Sequence, residues 1–217
     1  MRLDESDFEM WWRWHLYRRW TNERGRRSMY DFRRYLQAAP AGALAIDCGA
    51  NVGDVSAAML KVGLRVIAFE PDPLSLAALH RRFDSEPRLT IIPKAVGASN
   101  RRAPLYRQTA NGRTLTEASS FIRMKHHQPE PAAEIDIIDL PAFLAGLGEP
   151  VYLLKLDIEG AEAEVLEALL DRGLTQPIGR IFVETHEWLD EELARRLNAI
   201  RARTSGPEFA NLDLDWG

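Results

Sequence analysis

The sequence predicts an α/β chain with a doubly wound, mainly parallel sheet and an N-terminal helical arm, and three observations lead there. Strand-like and helix-like patterns alternate from residue 43 to residue 203. The run Val151-Tyr152-Leu153-Leu154-Lys155-Leu156 is nearly continuous in apolar residues, the mark of a strand covered on both faces. The strand-like runs end in polar or glycine-containing turns, at the strand ends where open parallel sheets bind ligands. With 217 residues the chain suits one main domain, residues 41–217, preceded by an arm at residues 1–40.

In the arm, Phe8, Trp12, Leu16 and Trp20 fall four apart, on one helical face. Gly25 is expected to separate this helix from a second one, Met29 to Ala39, which stops at Pro40. The plainest reading packs the aromatic stripe on the domain and leaves the arginines solvated. Sharper readings are a lid over an acceptor pocket, a homodimer contact or a membrane-surface helix. Position favours the lid, because the arm enters the first strand directly.

That strand runs through Ala45-Ile46-Asp47-Cys48 into the turn Gly49-Ala50-Asn51-Val52-Gly53, and a helix follows from Val55 to Leu60. Gly49 and Gly53 bracket a turn that needs positive φ or a ligand lying against the backbone. The turn lacks the third glycine of a dinucleotide fingerprint. Asp47 would repel a pyrophosphate and suit a ligand bearing an ammonium or sulfonium, which leans toward S-adenosylmethionine. The next strand, Leu64 to Phe69, ends in Glu70-Pro71-Asp72-Pro73, so Glu70 stands about 20 residues past the glycine turn, where such folds bind ribose hydroxyls. Pro73 suits the first turn of the helix Leu74 to Phe83.

A third strand, Leu89 to Pro93, leads into Lys94-Ala95-Val96-Gly97, where small residues let an adenine ring approach the backbone. Residues 98–132 read as the least regular part, with a strand at Pro104 to Gln108, an Asn111-Gly112 turn, and exposed loop histidines His126 and His127 in a basic patch. Ile135 to Leu140 alternates as an edge-type strand and precedes a short helix, Pro141 to Leu147. The buried strand Val151 to Leu156 ends in Asp157-Ile158-Glu159-Gly160 and is followed by a helix, Ala161 to Leu170. Another, Ile181 to Val183, ends in Glu184-Thr185-His186-Glu187, and a last helix covers Asp190 to Arg203. Leu212, Leu214 and Trp216 at period two suffice for one closing strand.

The formal net charge of −4 is uneven: residues 1–40 hold nine Arg and six acids, about +3, leaving about −7 on the remainder. The main body therefore lacks the basic footprint of a nucleic-acid surface. One cysteine, Cys48, allows no intrachain disulfide and no multi-cysteine metal cluster, which suits a reducing compartment. No stretch has the apolar length of a membrane span, and the acidic, aromatic N-terminus does not read as a signal peptide, so a soluble, cytoplasmic protein is expected.

The set Asp47-Cys48-Gly49-Ala50-Asn51-Val52-Gly53, Phe69-Glu70-Pro71, Ser119-Ser120, Leu154 to Glu162 and Val183-Glu184 resembles the FkbM family of S-adenosylmethionine-dependent methyltransferases. The Lys-x-Asp-x-Glu-Gly-Ala-Glu stretch from Lys155 to Glu162 is its specific part. The resemblance covers roughly residues 43–187 and implies a class I, Rossmann-like methyltransferase that O-methylates a small natural product or sugar. It implies that Asp47, Gly49, Asn51 and Gly53 hold the methionine end of the cofactor and Glu70 the ribose hydroxyls; Cys48 and Pro71 beside them, and Lys94 and Ala95 at the small-residue segment, complete the expected cofactor-binding residues. Asp157 would meet the cofactor's amino group or the reacting face. Asp157, Glu159 and His186, all just past strand ends, are the candidate bases, His186 being the one with an ordinary pKa near neutrality. No metal ligand is assigned, although Asp157 and the Glu184-Thr185-His186 cluster resemble in placement the magnesium ligands of catechol methyltransferases, with His186 fitting magnesium poorly. The competing readings are a nicotinamide oxidoreductase and a cofactor-binding module that acts through its arm.

Overall fold

The computed structural model describes residues 23–110, 113–120, 122 and 131–216. The stripe Phe8 to Trp20, the Asn111-Gly112 turn and the two loop histidines lie outside the described residues.

Helix α1 spans Glu23–Gln37 and runs through Gly25, so the expected break there is not found. Gly25 lies in the first turn and is buried, and the packing of Met29, Phe32 and Leu36 further along outweighs its low helix propensity. Phe32 meets Phe182 edge-on at 5.0 Å and Trp216 at 5.4 Å, while Tyr35 stacks on Tyr152 at 4.4 Å. Each tyrosine hydroxyl donates to the other's carbonyl. This second half of the arm is thus fastened to the sheet.

After α1 come β1 (Leu44–Cys48), α2 (Asp54–Lys61), β2 (Arg65–Phe69), α3 (Pro73–Arg82), β3 (Leu89–Ile92) and β4 (Ala95–Gly97). Then follow β5 (Arg101–Ala110), β6 (Arg113–Ser120), β7 (Pro131–Asp139), α4 (Leu140–Ala145), β8 (Val151–Leu156), α5 (Glu162–Asp171), β9 (Arg180–Val183), α6 (Glu191–Arg203) and β10 (Leu212–Asp213). Pro73 opens α3 with Asp72 as its N-cap, accepting from the Leu74 N–H, and Asp190 caps α6 in the same way.

The main sheet has the order β10-β9-β8-β1-β2-β3, and every neighbouring pair is parallel. Side chains of its strands alternate between two cores. Leu44, Ile46, Cys48, Leu154, Leu156, Ile181 and Val183 face α4, α5 and α6; Ala45, Val66, Ala68, Leu153 and Phe182 face α1, α2 and α3. This is a doubly wound α/β fold. The chain winds outward from β1 in one direction through β2 and β3, and in the other through β8, β9 and β10, so the switch point lies between β1 and β8. Register then sets the site: Cys48 is level with Phe69 on one side and Leu156 on the other, and Leu156 with Val183.

Two further expectations are corrected. The stretch 98–132, read as the least regular part, contains β5 and β6, which pair antiparallel. Pro131–Asp139 is no edge strand: it lies between β4 and β5 in a second sheet, order β4-β7-β5-β6, because its alternation of buried Ile135 and Ile137 with exposed neighbours reports one covered face and says nothing about pairing. The small residues Ala95 to Gly97 form the strand β4. At the chain's end Leu212–Asp213 pairs parallel to β9, while Leu214 and Trp216 continue past it into the core. Among the described residues no helix is long and apolar enough to cross a membrane.

Truncation of a buried aromatic that α1 contributes to the core should be expensive. Phe32→Ala is expected to lower the unfolding free energy by about 3–5 kcal/mol in a denaturant titration. A change below about 1 kcal/mol would show that α1 is not part of the cooperative unit.

Candidate active site

Because the four central strands end level, Gly49, Glu70, Asp157 and Glu184 emerge side by side at one edge of the sheet. Gly49 has φ +79°, and a Cβ there would collide with the carbonyl oxygen of Asp157, so the turn after β1 and the turn after β8 can touch only through a glycine. Asn51 is also left-handed, with φ +48°, and Gly53 at φ +87° enters α2 beneath Leu79 and Phe83.

Below this edge lies Lys155, 1% exposed, the register partner of Asp47 across β1 and β8. Its ammonium donates to the carbonyls of Gly49 (2.8 Å) and Cys48 (3.3 Å) and lies 3.2 Å from Asp47 Oδ1 and 3.4 Å from Asp157 Oδ2. Burial acts against the charge, but Asp47 and Asp157 outweigh it and hold the Lys155 pKa above the ordinary lysine range. Asp47 is fully buried and also accepts a hydrogen bond from Ser56 Oγ (2.7 Å). The structure thus turns Asp47 inward, onto Lys155 and α2. Cys48 is buried in the opposite core, and burial pushes its thiol far up, so it is chemically quiet.

Glu70 is buried at the end of β2, where its two oxygens accept from the N–H groups of Asn51 and Asp72, each at 2.7 Å. Burial raises its pKa to about 7 against those hydrogen bonds. Pro71 sits half-buried in the turn that follows, Lys94 half-buried between β3 and β4, and Ala95 buried at the start of β4. Asp72 is gripped by Arg107 through both carboxylate oxygens (2.6 and 2.7 Å) and by Ser119 Oγ (2.8 Å). Burial alone would raise its pKa; Arg107, the Leu74 N–H and Ser119 bring it below the usual carboxylate range. Ser120 Oγ donates to the Glu159 carbonyl at 2.6 Å, so the end of β6 is tied to both the β2 turn and the β8 turn.

His186, 4% exposed, stands past β9 with Nδ1 3.0 Å from Glu162 Oε1. A carboxylate only accepts, so Nδ1 carries a proton. The other Glu162 contacts come from the N–H groups of Ile158 and Gly160. On its far side Nε2 faces Glu159 Oε2 at 3.6 Å, Asp157 Oδ1 at 3.9 Å and Glu184 Oε1 at 4.0 Å. Burial lowers the pKa of His186, but Glu159 and Glu162 overwhelm it and push it up to about 12. The reason for choosing His186 as base, an ordinary value near neutrality, therefore fails in the folded chain: at pH 7 the ring is a cation. Glu159 moves the other way from a typical surface acid, its pKa raised by burial against the pull of His186.

A family model for the methyltransferase FkbM domain matches residues 47–212. The chain belongs to this family. No curated protein sequence matches it. Among solved structures, a TehB-like SAM-dependent methyltransferase from Corynebacterium glutamicum ATCC 13032 Kitasato is 15% identical, over 91% of this chain and 84% of its own, with a TM-score of 0.38.

As an FkbM methyltransferase the protein uses S-adenosylmethionine, which supplies an electrophilic methyl group on a sulfonium. The residues present fit such a group. Asp47, Asp157, Glu159, Glu162 and Glu184 carry more negative charge at this edge than Lys155 and His186 neutralise, which favours a cationic ligand. Glu70 stands at the neighbouring strand end with its carboxylate fixed by backbone donors and lone pairs left for hydroxyls. Three site residues were quoted in the family motif without a role: Lys155, Glu162 and Ser120. A lone lysine within an otherwise apolar buried strand was the available signal for Lys155, since a buried ammonium requires partners.

Removing the Lys155 charge leaves Asp47 buried without it. Lys155→Met is expected to cost about 3–5 kcal/mol of stability, read as a lowered denaturation midpoint. Pairing it with Asp47→Asn should recover part of the loss, and strict additivity would contradict the coupling.

Proposed function

We propose that this FkbM methyltransferase transfers the methyl group to a hydroxyl oxygen of a small natural product or sugar. The observation that carries this reading is the convergence of Asp157, Glu159 and His186 just past the ends of β8 and β9, with carboxylates able to receive a hydroxyl proton beside the edge that fits the cofactor. Glu159 takes the proton of the acceptor hydroxyl. Asp157, which spans Lys155 and His186 with its two oxygens, fixes the approach, and the His186 cation orients both acids. Methyl transfer needs an in-line approach of oxygen to the methyl carbon, so positioning by these residues supplies much of the rate. Glu70 binds the ribose hydroxyls and the Gly49 to Gly53 turn the methionine end, with Lys94 and Ala95 beside the adenine. Residues 1–40 act as an arm on the 41–217 domain. The single buried thiol of Cys48 supports a cytoplasmic location.

Methyl transfer from labelled cofactor into hydroxylated metabolites, with the product's linkage determined, tests the reading; label on nitrogen or carbon alone would overturn it. Glu159→Gln is expected to lower kcat by about 10²–10⁴-fold while S-adenosylhomocysteine binding, followed by calorimetry, changes little. Loss of binding and turnover together would remove Glu159 from the chemistry.

Glu70 also predicts a pH dependence. Hydroxyls donating to its carboxylate stabilise the ionised form, so S-adenosylhomocysteine affinity should be full above about pH 7 and fall as pH drops below it, by up to about tenfold per unit. Glu70→Gln should flatten that profile, and an unchanged slope would show that Glu70 does not touch the ribose.

A further inference from the structure

We propose that Trp188 is an acceptor-binding residue: a platform on which a ring-shaped acceptor, a sugar or an aromatic ring, lays its apolar face while a hydroxyl on the ring's edge meets Glu159. The inference rests on the reading of Glu159 as the group that receives the hydroxyl proton. Trp188 lies in the short helical turn Glu187–Leu189, two residues past His186. At 74% it is the most exposed of the large apolar side chains among the described residues. Its ring centre is 6.2 Å from that of His186, whose Nε2 faces Glu159 at 3.6 Å, so the indole stands beside the acid cluster.

A lone exposed apolar side chain is ordinary on a protein surface, and two features set this one apart. The first is that its turn is fixed on both sides. Arg201 donates to Glu187 (2.9 Å), to Thr185 Oγ1 (3.1 Å) and to the Leu214 carbonyl (2.8 Å). The Leu189 N–H closes on the His186 carbonyl at 3.0 Å, and the Leu189 side chain packs against the core. The neighbours are anchored and the indole between them is left out. A tryptophan has only two side-chain torsions, so on a fixed turn it is a rigid surface that loses little freedom when something binds.

The second feature is that further apolar groups converge on the same place from another strand end. A Cβ on Gly160 would lie 3.3 Å from Leu189 Cδ1 and 3.4 Å from Ile122 Cδ1, so both side chains lie over the residue next to Glu159. Ile122 is 37% exposed and arrives just past β6. Its N–H donates to Ser120 Oγ (3.0 Å), the same hydroxyl that donates to the Glu159 carbonyl (2.6 Å). Exposed apolar groups from two separate strand ends, with a few acids between them, have the makeup of a small-molecule pocket.

The chemistry of these groups selects a ring. Ionised Asp157 and Glu159 only accept hydrogen bonds, so they hold an acceptor by its hydroxyls. The indole face instead attracts the C–H or π face of a flat group. Apolar faces with hydroxyls at the edge describe a pyranose or a phenol, whereas an open-chain alcohol has the hydroxyl and no face to stack. Stacking fixes the plane of the ring and thereby the direction of its hydroxyl.

The test is transfer of labelled methyl from S-adenosylmethionine by the full chain into a small-molecule extract of the cells that make it, a dilution series of the extract giving the apparent KM. Trp188→Ala is expected to raise that KM about tenfold and to lower kcat by less, where Glu159→Gln acts on kcat. Trp188→Phe, which keeps a ring face, should stay within about threefold of the parent. S-adenosylhomocysteine affinity and the denaturation midpoint of both variants should match the parent, which separates lost stacking from lost folding. Mass spectrometry of the labelled product is expected to place the methyl on a ring and tells a sugar from an aromatic one. An unchanged KM in Trp188→Ala, a KM raised equally in Trp188→Phe, or an open-chain product overturns the platform. Label on nitrogen or carbon of a ring, with the KM changes as expected, overturns the hydroxyl reading and supports the platform.

Discussion

A buried ammonium holds the two halves of this sheet together at the point where they diverge. Lys155 sits on the same face of β8 as the buried Leu153, and a lysine there is tolerable only because Asp47, Asp157 and the Cys48 and Gly49 carbonyls surround it. Those partners come from β1, the turn after β1 and the turn after β8. The ion pair thereby sets the distance between the two turns that form the ligand edge, and the same proximity makes Gly49 obligatory opposite the Asp157 carbonyl. Trp216, 5.7 Å from the ammonium, closes this arrangement from the chain's end, and Phe32 of α1 packs on Trp216 in turn.

From Lys155 the charges continue outward in alternation. Asp157 faces Lys155 with one oxygen and His186 with the other, and His186 is held on its opposite side by Glu162. Such a row leaves the edge with more acids than cations. That surplus discriminates among nucleotide-like ligands. It opposes a pyrophosphate and welcomes a sulfonium, in the same direction as the missing third glycine and Asp47, which speak against a nicotinamide cofactor in the sequence.

The second sheet gives the site its other wall. Arg107 and Ser119 reach Asp72, and Ser120 reaches the Glu159 backbone, so the hairpin β5–β6 is bound at its base to the turn after β2 and to the turn after β8. A bidentate arginine on a buried aspartate is directional as well as strong, which suits it to setting an angle between two sheets. Glu159 itself adopts φ +52°, a costly backbone for a non-glycine residue, and the Ser120 hydrogen bond helps to hold it there.

The sequence by itself determined the elements and the ligand edge: the apolar strands, the glycine turn, the acid after β2 and the Lys155 to Glu162 motif depend on local pattern and on contacts within a few residues. It also named Asp157, Glu159 and His186, because polar residues directly after buried strands have few other places to be. The tertiary structure alone decided what surrounds them. That Asp47 faces Lys155, that Glu162 pins His186, that the 135–139 segment lies inside a second sheet and that Gly25 continues a helix all follow from register and packing between segments far apart in the chain, which periodicity does not encode. The charge state of His186 is the clearest case. Its ordinary pKa belongs to the residue, whereas its pKa of about 12 belongs to Glu159 and Glu162, brought to it by the fold.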